Sequence, residues 1–123
     1  MSSILVIDDE APVRKVLRKA LEREGYKVMD AADGLEGIGL YREHPTDLVL
    51  TDILMPEKEG LETIMAFRRN FPEVRIFAMS GGGLIDSGCC LEMAKGLGAA
   101  RVYTKPIEIE GLLEDIGEFL NKQ

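Results

Sequence analysis

Five polar groups close short apolar runs in this chain: Asp8 and Asp9 after Ile4–Ile7, Asp52 after Asp47–Thr51, Ser80 after Val74–Met79 and Lys105 after Arg101–Thr104. A lone Asp in such a place is most often a turn residue or a helix N-cap, and Asp9 is placed to cap a helix that follows it. Three carboxylates, a hydroxyl and a lysine ending four different runs are poorly explained as caps. Two carboxylates ~4 Å apart repel by about 4 kcal/mol at an effective dielectric of 20, so three need a counter-charge. A hard divalent cation supplies one. All-oxygen ligation with few protein ligands suits Mg²⁺, which keeps several waters and is often completed by phosphate oxygens. The chemistry indicated is phosphoryl chemistry.

The elements that must position these groups follow from periodicity. Ile4 to Ile7 is a continuous apolar run, as in a strand buried on both faces, and Val13, Val16, Leu17, Ala20 and Leu21 follow at helical spacing. Pro12 suits the first turn of that helix and Gly25 stops it. The alternation continues with strands at Lys27–Ala31, Asp47–Thr51, Val74–Met79 and Arg101–Thr104, and helices at Gly34–Glu43, Leu61–Asn70, Asp86–Leu97 and Ile109–Leu120. Five strands alternating with five helices predict a doubly wound parallel sheet covered on both faces. Such sheets bind ligands outside the carboxyl ends of their strands, where the strand order reverses. A flavin site of the flavodoxin type would need a Ser/Thr/Gly-rich loop after the first strand, whereas this loop reads Asp8-Asp9-Glu10 and repels phosphate unless a metal stands between.

With 123 residues, 46% hydrophobic and 30% charged, the chain is expected to form one globular domain over residues 1–123. Its apolar runs fall far short of the ~20 residues needed to span a bilayer, and its start lacks the pattern of an export signal, so a cytoplasmic location and no membrane insertion are expected. A net charge of −7 argues against direct contact with nucleic acid or anionic lipid. Adjacent Cys89 and Cys90 form neither a disulfide framework nor a metal site, which suits a reducing compartment.

Five motifs in order, Leu5-Val6-Ile7-Asp8-Asp9-Glu10, Asp52-Ile53-Leu54-Met55-Pro56 with Gly60, Met79-Ser80-Gly81, Leu97-Gly98-Ala99 and Lys105-Pro106, resemble the receiver domains of two-component response regulators, including the single-domain chemotaxis type. The resemblance spans essentially the whole chain. It implies a flavodoxin-like fold with strand order 2-1-3-4-5 and a cis Lys105–Pro106 bond. It implies Asp52 as the phospho-acceptor, and a Mg²⁺ bound directly by Asp9, Asp52 and the Leu54 carbonyl and through water by Asp8. Ser80, the Gly81 amide and Lys105 would engage the phosphoryl group. The implied partners are a histidine kinase or phosphotransfer protein as phosphohistidine donor, and a downstream protein reading the surface of the fourth and fifth helices and fifth strand. Such a domain is a signalling switch that catalyses its own phosphorylation and dephosphorylation, and is not a metabolic enzyme.

Several positions depart from the family pattern. Val102 stands where an aromatic often reports phosphorylation, and Tyr103 should point to the other face by strand alternation. Glu59 replaces the usual Asp or Asn before Gly60. Gly81-Gly82-Gly83, Gly88 and Gly96 weaken the fourth helix, at about 1 kcal/mol for each interior glycine against Ala. His44 reads as a solvated residue at a helix end, Cys90 as helix packing, and Arg14, Lys15, Arg18, Lys19 and Arg23 as a solvated face that also borders the approach of a donor. The rival is a small Mg²⁺-dependent aspartyl-phosphate phosphatase acting on metabolites. Those enzymes carry a second Asp two residues after a nucleophile on the first strand, where this chain has Glu10, and a further acidic pair late in the chain. A degenerate receiver acting by contact alone is a third reading, set against the presence of all five rim residues.

Overall fold

The structure is a computed structural model that describes residues 2–53, 59–80 and 95–121, with residues 59–61 described in backbone only. The elements, in chain order, are β1 (Ser3–Ile7), α1 (Ala11–Arg23), β2 (Lys27–Ala31), α2 (Gly34–Glu43), β3 (Leu48–Asp52), α3 (Glu59–Asn70), β4 (Ile76–Ser80), β5 (Arg101–Thr104) and α4 (Ile109–Asn121). The strands form one parallel sheet in the order β2-β1-β3-β4-β5. Four of the five expected helices are among the described residues. The expected helix at Asp86–Leu97 lies mostly outside them, and of its described residues Lys95 and Gly96 are helical.

Side-chain parity divides the core in two. Leu5, Ile7, Val49, Ile76 and Ala78 pack on one face with Tyr41, Ile64 and Phe67 of α2 and α3. Ile4, Val6, Leu48, Leu50, Phe77 and Met79 pack on the other with Leu17 and Leu21 of α1 and Leu112 and Ile116 of α4. A strand buried on both sides favours apolar residues up to its carboxyl end, where Thr51, Asp52 and Ser80 are the buried exceptions, which is why these runs read as continuous rather than alternating. Continued by two residues, the parity of Val6 and Leu50 assigns Asp8 and Asp52 to the α1/α4 side, and Lys105 shares the parity of Tyr103, which packs there too.

Local signals explain most boundaries. Gly25 ends α1 at φ 95°, and its N–H donates to the Glu22 carbonyl at 3.0 Å. Asp33 caps α2 by accepting from the Glu36 N–H at 2.8 Å, while Glu36 reaches back to the Ala32 N–H at 2.8 Å. The expected cap by Asp9 does not form: Glu10 occupies the N-cap of α1 and makes no side-chain capping bond. β3 runs one residue later than expected because the Asp47 carboxylate is drawn to the start of β1, accepting from the Ser3 N–H at 2.8 Å. β4 begins at Ile76, since the Val74 N–H closes a turn onto the Phe71 carbonyl at 3.0 Å. Tyr103 and Val102 do point to opposite faces.

Helix α2 lies so close to β1 that a Cβ at Gly37 would fall on Cδ1 of Ile7 and within 2.9 Å of its Cγ1, whereas a Cβ at Gly39 would meet nothing within 4 Å. Two interior glycines of one helix should therefore respond oppositely to the same substitution. Gly39→Ala should raise stability by about 0.5–1 kcal/mol through helix propensity. Gly37→Ala should lower it, because overpacking costs about 1–3 kcal/mol and exceeds that gain. Urea denaturation midpoints check both signs, and a stabilised Gly37→Ala would contradict the packing.

Candidate functional site

The carboxyl ends of β1 and β3 meet where the strand order reverses, and the register Ile7↔Thr51, carried one residue on, sets Asp8 beside Asp52. Both are buried, Asp8 at 0% and Asp52 at 2% exposure. Lys105 arrives from the end of β5, two strands from β3, a gap of about 10 Å at the usual strand spacing that only a long side chain can close. Its Nζ lies 2.6 Å from Asp8 Oδ2, 3.0 Å from Asp52 Oδ2 and 3.5 Å from Glu10 Oε1. The backbone leading to it is registered on β4 through the Lys105 N–H, which donates to the Ser80 carbonyl at 2.7 Å. The Lys105–Pro106 peptide is cis, in agreement with the expectation. Ser80 is fully buried at the end of β4, the strand between β3 and β5.

Charge is concentrated here. Carboxylate oxygens of Asp8, Asp9, Glu10 and Asp52 all lie within 4.8 Å of one another, two of the residues buried and two exposed. Burial pushes the Asp8 carboxyl above its ordinary range, and Asp52 adds to the push. Its hydrogen bonds from Lys105 and the Glu10 N–H pull the other way without cancelling it. For Lys105, burial favours the neutral form, but the hydrogen bonds and charges of Asp8 and Asp52 outweigh it and hold the ammonium above its ordinary value. One ammonium among four carboxylates leaves a net negative site of hard oxygen donors, half of it open to solvent. This donor set fits a small hard cation such as Mg²⁺.

The structure thus brings together Asp8, Asp9, Asp52 and Lys105, with Ser80 on the intervening strand end. Leu54, Gly81, Cys89 and Cys90 lie outside the described residues. Glu10, which the sequence did not single out as a metal ligand, joins the acidic cluster; its adjacency to Asp8-Asp9 is the signal that could have pointed to it. Arg14, read as solvated helix face, instead donates from Nη1 to the Asp8 carbonyl at 2.7 Å. His44 is exposed at the C-cap of α2, as expected. Tyr103 is turned to α4, where its hydroxyl donates to Asp115 at 2.8 Å. Burial, then the Asp115 hydrogen bond and charge, raise its phenol well above the usual range. Among the described residues, β5 ends at this site in Lys105 and not in the late acidic pair that the phosphatase reading requires.

Comparison with known proteins agrees with this geometry. A family model described as the response regulator receiver domain matches residues 4–117. Sporulation initiation phosphotransferase F of Bacillus subtilis (strain 168) is 28% identical over 117 residues, covering 95% of this chain and 92% of that protein. The solved structure of a CheY-like receiver domain protein from Methanospirillum hungatei matches with a TM-score of 0.87 at 28% identity, over 99% of this chain and 95% of that one. A receiver domain from Clostridium thermocellum matches with a TM-score of 0.86 at 27% identity, over 99% and 96% of the respective chains. The family model spans nearly the whole chain, and the chain belongs to the receiver domain family of two-component response regulators.

Proposed function

We propose that residues 1–123 act as a single phospho-receiver, a cytoplasmic switch that takes a phosphoryl group onto Asp52 from the phosphohistidine of a histidine kinase or phosphotransfer protein. The observation that carries this reading is the buried pairing of Lys105 Nζ with both Asp8 and Asp52 at the ends of adjacent strands. An Asp52 carboxylate oxygen attacks phosphorus in line; the new O–P bond forms as the N–P bond to the donor imidazole breaks, and the imidazole leaves. Lys105 keeps its charge throughout and exchanges a carboxylate partner for a phosphoryl oxygen. The Ser80 hydroxyl and the Gly81 amide donate to the remaining oxygens. Asp8, Asp9 and Asp52, with the Leu54 carbonyl, would hold a Mg²⁺, which supplies neutralisation of charge on the transferring oxygens.

Beside Lys105, a groove of about 610 Å³ is lined by Pro12, Val13, Val16, Pro106 and Ile107. Val16 is 56% exposed there, and the exposed Lys15 and Lys19 of the same helix offer positive charge to an approaching donor. On the output side, Val102 stands at the usual aromatic position and Tyr103 is bonded to α4, and the reading that remains is a signal passing from Ser80 at the end of β4 to the surface of the fourth and fifth predicted helices and β5. No helix among the described residues is long and apolar enough to cross a membrane. The downstream target is a protein, in keeping with the negative charge of the chain.

Two measurements test the assignment. Intact mass after incubation with acetyl phosphate and Mg²⁺ should show one added phosphoryl group, absent in Asp52→Asn and absent when a chelator removes the metal; equal labelling of Asp52→Asn would overturn the role of Asp52. Phosphoryl lifetime is the second. In the family, residues two after the acceptor and two after the Ser/Thr help to hold the hydrolytic water, and here they are Leu54 and Gly82, which offer no side-chain hydrogen bond. Orienting that water by one polar group is worth roughly 10- to 100-fold, so Leu54→Asn should lose its phosphoryl group faster than the natural chain at equal Mg²⁺. A decay rate that is unchanged or slower would place the control of water elsewhere.

A further inference from the structure

The turn between β1 and α1 carries three of the four clustered carboxylates, Asp8, Asp9 and Glu10, yet its junction with the helix lacks the usual fastening. Glu10 at the N-cap makes no side-chain capping bond, and Pro12 has no N–H to give. Asp8 is held from three other directions. Its N–H donates to the Ala31 carbonyl at 3.1 Å, its Oδ1 accepts from the Glu10 N–H at 2.8 Å, and its carbonyl accepts from Arg14 Nη1 at 2.7 Å. The last of these is a charge-assisted bond from one turn into α1, and it ties the helix directly to the peptide that joins Asp8 to Asp9.

We propose that Arg14 is a positioning residue for the divalent-cation site. By gripping the Asp8 carbonyl it fixes the plane of the Asp8–Asp9 peptide, and with it the directions in which the two carboxylates present their oxygens. The inference rests on the reading of this cluster as a Mg²⁺ site. It is separable from an electrostatic effect because the two have opposite signs. A guanidinium beside four carboxylates repels an incoming cation, so if Arg14 acted only through its field, removing it would tighten Mg²⁺ binding. If it acts by orientation, removing it loosens binding despite the lost repulsion. Groups that orient metal ligands without touching the metal typically contribute 10- to 100-fold to affinity.

Arg18 provides the internal control. It lies one turn further along α1, and its guanidinium pairs with Glu22 at 3.1 Å and Asp30 at 3.6 Å, away from the acidic turn. Arg18→Ala removes the same charge without touching Asp8.

The test is calorimetric titration of Mg²⁺ into the unphosphorylated chain, with circular dichroism to establish that each variant is folded. Arg14→Ala should raise the dissociation constant about tenfold. Arg14→Lys, which keeps the charge and a donor one bond shorter in reach, should recover part of the loss, and Arg18→Ala should stay within about twofold of the natural chain, as expected for a charge screened by solvent. Arg14→Gln repeats the test in a good helix former should the alanine variant unfold. Binding by Arg14→Ala or Arg14→Gln as tight as that of the natural chain, or tighter, would overturn the positioning role, and so would a lysine variant no better than alanine. Failure of the cation reading looks different: the natural chain and Asp8→Asn would both give no heat of binding, and the role of Arg14 would fall with it.

Discussion

Two carboxylates are buried at the ends of neighbouring strands, and the rest of the site follows from how that charge is tolerated. Taking a carboxylate out of water costs about several kcal/mol even after relaxation, and two side by side also repel. The Lys105 ammonium answers both costs at once, at 2.6 Å from one oxygen and 3.0 Å from the other. That solution requires β5 to lie two strands from β3 in the same sheet, so the pairing depends on the whole strand order and not on any local segment. It also leaves the site short of positive charge, since Asp9 and Glu10 complete a cluster of four carboxylates around one ammonium.

Period-two geometry selects which helices serve the site. Asp8, Asp52 and Lys105 continue the parity of the residues that pack under α1 and α4, so those helices border the chemistry while α2 and α3 cover the opposite face. Tyr103, two residues before Lys105, shares this parity and is clamped there. Its hydroxyl is bonded to Asp115, and its ring lies 5.7 Å from that of Phe77. Phe77 in turn meets Phe119 of α4 edge-on at 5.1 Å. Arg101 adds ion pairs to Asp115 and Glu118, at 3.6 and 3.5 Å. The aromatic of β5 in this protein anchors the strand that carries the lysine, and Val102 on the other face leaves the usual aromatic position filled by an aliphatic side chain.

The far face is built for closeness rather than for chemistry. Gly34 and Gly37 let α2 approach Thr63 and Ile7, and Tyr41, Phe67 and Phe71 form an aromatic cluster between α2 and α3 with ring centroids 4.8–6.1 Å apart. Since Ile7 directly precedes Asp8, the packing beneath Gly37 helps to set the height at which the first carboxylate leaves the sheet. At the opposite edge, Gly98 adopts φ 112° under the Arg68 side chain, whose Nη2 donates to the Gly98 carbonyl at 2.8 Å. That explains the glycine of the Leu97-Gly98-Ala99 motif: a side chain there would be strained in φ and would displace the guanidinium.

Much of this protein is legible in its sequence because strand and helix periodicities are local. The apolar runs, the stop at Gly25, the parallel alternating architecture and the identity of the polar residues at the strand ends all follow from neighbours within a few positions, and the family motifs supply the strand order. Local patterns do not reach across the sheet. That Asp8 is fully buried and shares an ammonium 97 residues away, while Asp9 beside it stays exposed, depends on the twist and order of strands that meet only in the folded chain. The late start of β3 has the same origin, since the Asp47 carboxylate is taken by Ser3, 44 residues away. Arg14 is the clearest case: its spacing on α1 matches a solvated face, and only the turn that brings the Asp8 carbonyl back over the helix gives its guanidinium a partner at the site.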